Sequence, residues 1–113
     1  MKLSVIIPCY NEEKTIIKII DAVKKQINEN DEIIVIDDYS TDNSRKILKE
    51  DLSNKIYQLI LNEKNFGKGY SIRKGIEEAT GEIILIQDAD LEYDPTDYIR
   101  LLKPIISGVA DVV

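Results

Sequence analysis

The chain has 113 residues, 43% hydrophobic and 32% charged, with a formal net charge of −6. That is one domain's worth of polypeptide with enough apolar content for a core, so a disordered chain is excluded, and the acidic balance argues against binding a nucleic-acid backbone. With no histidine, one cysteine and no tryptophan, imidazole catalysis and an internal disulfide are excluded, and a cytoplasmic setting is the default expectation.

Hydrophobic periodicity divides the chain into short apolar runs and longer amphipathic stretches. Leu3 to Pro8 reads as a buried strand stopped by Pro8, and it reaches that proline too soon, with no small-residue cleavage site, for a secretory leader. Glu12 to Ile27 carries Ile16, Ile17, Ile19, Ile20, Val23 and Ile27 at helical spacing, with Asn11 as the expected N-cap. Asn28 to Asp31 is a polar turn, Glu32 to Asp37 a second strand, and Ser40 or Thr41 opens a helix through about Glu50. Lys55 to Leu61 reads as a third strand. After the loop Asn65 to Gly69, Tyr70 to Ala79 is a helix, with Thr80-Gly81 as its C-cap. Glu82 to Gln87 is a fourth strand, Asp88 to Asp94 a polar loop, and Pro95 opens a helix to about Ile106. Val109 to Val113 begins a fifth strand. The apolar runs Ile33 to Ile36 and Ile83 to Ile86 fall far short of the roughly 20 residues of a membrane span.

This alternation predicts one α/β domain over residues 1–113, with a mostly parallel sheet and helices on both faces. Ala110 to Val113 looks like the start of a buried strand at which the chain stops. The expectation is a piece of a longer protein, with an exposed edge open to self-association.

Open parallel sheets bind ligands beyond the carboxyl ends of their strands. In Asp88-Ala89-Asp90-Leu91-Glu92, strand-like spacing points three carboxylates to one side, which suits Mg²⁺ or Mn²⁺. For an isolated D-x-D, a solvated acidic loop is the commoner meaning. Asp37-Asp38 either binds a ribose or base N–H or caps the next helix. Tyr10 and Glu12 offer a stacking ring and an acceptor, whereas Asn11 is well explained by capping. Cys9 reads as a small packed residue, because no imidazole is available to activate it. Asn65-Phe66-Gly67-Lys68-Gly69 presents backbone N–H groups and a lysine to a diphosphate, or is simply a flexible loop. Neither a Walker loop nor a G-x-G-x-x-G after the first strand is present.

Taken in order, Val5 to Glu12, Ile36 to Asp42, Asn65 to Gly69, Gly81-Glu82 and Asp88 to Pro95 resemble the N-terminal half of family 2 glycosyltransferases with the GT-A fold. Within that family they look most like the polyprenyl-phosphate (dolichyl-phosphate) mannosyl- or glucosyltransferases. The resemblance implies that Pro8, Tyr10 and Glu12 line a nucleoside pocket and that Asp38 contacts base or ribose. It implies that Asp88 and Asp90 are the catalytic D-x-D pair, holding a Mg or Mn ion and the diphosphate of a nucleotide sugar, UDP- or GDP-hexose. Lys68 or Lys74 would assist the diphosphate. Glu92 stands where this branch often has a Gln that also reaches the metal. The implied reaction is inverting hexose transfer to a polyprenyl phosphate, or alternatively to a sugar hydroxyl of a glycan. The acceptor site would follow Val113, so the expectation is weak nucleotide and metal binding with crippled catalysis. The parent protein would work at the cytoplasmic face of a membrane.

Three other classes compete. A Mg-binding phospho-receiver domain would carry its acid pair after the first strand, and here the pairs follow the second and fourth. A nucleotidyltransferase would open with a Gly-rich basic loop, and Cys9 to Glu13 contains no glycine. A non-catalytic binding module is the third.

Overall fold

A computed structural model describes residues 1–89. Four parallel strands, β1 (Leu3–Cys9), β2 (Glu32–Asp37), β3 (Gln58–Leu61) and β4 (Ile83–Ile86), form one sheet in the order β3-β2-β1-β4. Three helices connect them: α1 (Ile16–Gln26), α2 (Ser44–Lys46), which continues as a π-helical turn over Ile47–Asp51, and α3 (Lys68–Glu78). The fold is therefore α/β with a parallel sheet, as expected. The helix predicted from Pro95 and the strand from Val109 lie outside the described residues.

The two central strands are buried along their whole length. That is why their sequences run as unbroken Ile and Val stretches rather than alternating with polar residues. The edge strand β3 is only half-buried. Register places Val5 beside Ile33 and Leu85, and Cys9 beside Asp37. On one face, Gly75 of α3 packs so closely that an added Cβ would lie 2.6 Å from Ile6 and 2.7 Å from Ile36. Neighbouring strand residues point the other way, where Cys9 meets the Ser44 hydroxyl of α2.

Pro8 does not stop β1, which runs on to Cys9. The Gln87 N–H donates to the Ile6 carbonyl, so the next rung of the β1–β4 ladder would need an N–H on residue 8. Proline has none. The ladder to β4 ends there, while pairing with β2 continues through Pro8–Ile36 and Cys9–Asp37. The proline thus parts two adjacent strands at their carboxyl ends.

Helix starts differ from the periodicity reading. The first helix begins at Ile16, not Glu12, and the second at Ser44, not Ser40 or Thr41. The third begins at Lys68, two residues early. Gly81 is not a C-cap: the cap residue is Ala79 in extended conformation. Gly81 is instead required by close approach, since a Cβ there would sit 2.8 Å from the Ser4 nitrogen. Among the described residues no helix is long and apolar enough to cross a membrane.

Candidate active site

The loops after β1 and β2 brace each other. Asn11 has a left-handed φ of 53°, a conformation asparagine tolerates better than most residues. Its side-chain oxygen accepts from the N–H groups of Thr41 (2.7 Å) and Asp42 (3.2 Å). In return Asn11 N–H donates to Ser40 Oγ, Glu12 N–H to Ser44 Oγ and Glu13 N–H to Asp42 Oδ2. Asn11 is therefore a strut between loops rather than the N-cap of α1, a position held by Thr15. These short polar side chains capture the backbone groups that would otherwise begin each helix, which is why both start late.

Asp37 and Asp38 have separate tasks. Asp37 is fully buried and accepts from Ser40 Oγ (2.5 Å), Ser40 N–H (2.9 Å) and Arg45 Nε (2.6 Å). Arg45 also donates to the Asn62 carbonyl at the end of β3. Asp38, 5% exposed, accepts from Asn62 Nδ2 (2.9 Å) and Phe66 N–H (2.8 Å) at one oxygen and from Gly67 N–H (2.9 Å) at the other. Asn62 Nδ2 also reaches Ser71 Oγ (3.1 Å). Gly67 sits at φ 100°, a region that favours glycine. The second carboxylate of the pair therefore anchors the turn into α3, and a ligand donor would have to share its oxygens.

That turn delivers Lys68 to Asp88, with Nζ 2.5 Å from Oδ1. From the other side Thr15 Oγ1 donates to the Ala89 carbonyl (2.5 Å), tying the segment after β4 to the start of α1. Between these walls lies a cleft of about 370 Å³. Pro8, Tyr10, Glu12, Asp38, Lys68 and Asp88 all line it, together with Asn65, Ser71 and Ala89. Lys74 instead borders a separate cavity with Phe66 and Tyr70, whose rings stand 4.4 Å apart. Asp90 and Glu92, expected as metal ligands, lie outside the described residues. Among the described residues no group of three or more potential ligands could hold a metal. Asp88 is a cleft-lining carboxylate, the oxygen donor a hard divalent cation prefers, and here it pairs with the Lys68 ammonium group.

Burial, reinforced by the charge of Asp37, pushes the Cys9 thiol up to about 12. It cannot be a thiolate nucleophile near neutral pH. The opposite rim holds structural chemistry: buried Glu32 accepts from Ser4 Oγ, Thr80 N–H and Thr80 Oγ1 and pairs with Lys2 at 3.2 Å. Burial alone would raise its pKa, but the bonds from Thr80, Ser4 and Lys2 outweigh it and hold the carboxyl below the ordinary value.

Sequence reasoning missed Thr15, Arg45, Asn62 and Ser71. Thr15 ties down Ala89, Asn62 holds the cleft residues Asp38 and Ser71, and Arg45 braces them from behind through Asp37 and the Asn62 carbonyl. The string Ser40-Thr41-Asp42-Asn43-Ser44 signals only the brace to Asn11, Glu12 and Glu13, since so many short side-chain acceptors exceed what one helix cap can use, and none of the four missed residues lies in it.

A family model described as "Glycosyl transferase family 2" matches residues 4–113. The undecaprenyl-phosphate 4-deoxy-4-formamido-L-arabinose transferases of Proteus mirabilis and Photorhabdus laumondii subsp. laumondii are each 37% identical over 118 residues, covering 99% of this chain and 36% of theirs. The chain thus spans about a third of the length of these relatives. Among solved structures, S. aureus TarS in complex with UDP-GlcNAc superposes with a TM-score of 0.71 at 34% identity, over 80% of this chain and 27% of that one. Mannosyltransferase PcManGT from Pyrobaculum calidifontis, in complex with GDP-Man and Mn2+, gives a TM-score of 0.73 at 26% identity, over 86% and 30% of the two chains.

Proposed function

Because the chain belongs to glycosyltransferase family 2, we propose that its cleft is the donor half of a metal-dependent sugar-transfer site. The donor is a nucleoside-diphosphate hexose and the acceptor a polyprenyl phosphate. The observation that carries this reading is the meeting of six side chains from four strand-end segments, Pro8, Tyr10, Glu12, Asp38, Lys68 and Asp88, on one cleft.

The exposed ring of Tyr10 stacks on the nucleobase, and Pro8 and Glu12 border the nucleoside. Asp38 holds the turn before α3 and offers the remaining lone pair of Oδ2 to a base or ribose donor. Lys68 faces the diphosphate. Asp88, with Asp90 and Glu92, holds a Mg²⁺ or Mn²⁺ ion. When bound, the ion supplies Lewis-acid neutralisation of the charge that grows on the departing diphosphate as the glycosidic bond breaks. Attack from the opposite face inverts the anomeric carbon. A lipid phosphate oxygen is already anionic and needs no general base. Such an acceptor puts the cleft at a membrane surface, on the cytoplasmic side expected from the single cysteine.

Isothermal titration of the chain with UDP and GDP, each with and without Mn²⁺, tests this reading. Metal-dependent binding of one of them is expected. Absence of binding by both at millimolar concentration refutes it.

A further inference from the structure

Resting on that reading, we propose that Lys68 couples the two halves of the donor site. It acts as a resident counter-ion that holds Asp88 until a nucleoside diphosphate draws its ammonium group away, freeing the carboxylate for the divalent cation.

The geometry makes the two occupants exclusive. Lys68 Nζ stands 2.5 Å from Asp88 Oδ1, and a Mg²⁺ or Mn²⁺ ion would need that oxygen at about 2.0–2.2 Å. Two cations cannot share one oxygen at such distances without strong repulsion. The pair is also easily exchanged: the lysine side chain is 60% exposed and the aspartate 16%, so solvent screens their attraction. Yet the lysine cannot wander far. It is the first residue of α3, directly after Gly67, whose N–H is fixed on buried Asp38. Its flexible stem pivots from a fixed backbone, and Lys68 and Asp88 both line the cleft that a diphosphate would enter. A diphosphate entering there offers more negative charge than one carboxylate. Linkage then requires reciprocity: if nucleotide frees Asp88 for the metal, metal must equally favour nucleotide.

Mn²⁺ binding to the full chain, followed by the electron paramagnetic resonance of the free ion, tests this with and without UDP or GDP. Without nucleotide, Lys68→Met is expected to bind Mn²⁺ about five-fold more tightly than wild type, while Lys74→Met, which removes an equal charge outside the cleft, stays within about two-fold. The same Lys68→Met chain should bind the nucleoside diphosphate about five-fold more weakly. Lys68→Gln serves as a second variant, and circular dichroism checks both folds. Unchanged or weaker Mn²⁺ binding by both Lys68 variants overturns the proposal while leaving the functional reading intact if wild type still binds Mn²⁺ with nucleotide. A wild-type chain that binds neither refutes both.

Discussion

Replacing Asp38 by asparagine tests whether that carboxylate anchors the turn into α3. Three donors converge on it: Asn62 Nδ2 and Phe66 N–H on one oxygen, Gly67 N–H on the other. An asparagine keeps one acceptor oxygen, which best serves the first two. Its amide then turns N–H groups toward the Gly67 N–H, donor against donor. The lost charge-assisted bond is worth about 1.5–3 kcal/mol, and the two retained bonds weaken by roughly 0.5–1 kcal/mol each once the charge is gone. Water reaches half-buried Gly67 and returns part of this, so the expected loss is about 2–4 kcal/mol. That is a large share of the ~5–15 kcal/mol that stabilises a domain. Urea unfolding at pH 7, followed by far-ultraviolet circular dichroism, measures it through the midpoint and slope. A contrast comes from Asp88→Asn, where the screened pair with Lys68 is worth about 0–1 kcal/mol. If Asp38→Asn falls within about 0.5 kcal/mol of wild type, or costs no more than Asp88→Asn, the anchoring argument is wrong.

Gly75→Ala places a methyl group 2.6 Å from Ile6 and 2.7 Å from Ile36, and overpacking should cost about 1–3 kcal/mol in the same urea assay. Cys9, with its thiol pushed up to about 12 in a buried setting, should resist alkylation by iodoacetamide at pH 8 in the folded chain and react at once in urea; rapid native labelling would contradict its packing. Glu32 and Asp42 both have pKa values below the ordinary 4.5 and 3.8. Burial pushes each upward, but hydrogen bonds, from Thr80 and Ser4 to the first and from Ser44 and Glu13 to the second, prevail. A depressed carboxyl stabilises the fold above its unfolded pKa and loses that contribution as pH falls through the folded one. Urea midpoints should therefore hold steady above about pH 5 and decline below it, and Glu32→Gln should flatten the decline. Asp88→Asn should weaken Mn²⁺ binding by titration with little change in melting temperature.

The strand skeleton was legible because parallel central strands must be apolar on both faces. Leu3 to Cys9 and Glu32 to Asp37 advertise that in their composition, and the strand ends then name the rim where chemistry gathers. The helix starts were not legible. Periodicity reports which face of a helix is buried, and it is silent on which backbone donors have been taken by side chains from another loop. Asn11 has the chemistry of a cap, and its partners Thr41 and Asp42 lie about thirty positions away. Likewise Asn62 looked like any polar residue after a strand until its amide met Asp38 and Ser71. Pro8 was recognised as punctuation, but which of two neighbouring strands it interrupts depends on hydrogen-bond phase, a property of the assembled sheet.

The strand order carries a consequence for biosynthesis. β1 leaves the ribosome first, yet one of its two neighbours is β4, whose residues follow about eighty positions later. Until they emerge, the nascent chain presents Leu3 to Ile6, an aliphatic segment with an unpaired hydrogen-bonding edge, to whatever else is nearby. Zipping in the last of these four strands both covers that edge of β1 and brings Asp88 to the cleft, so completion of the four-stranded sheet and assembly of the cleft wall are one event.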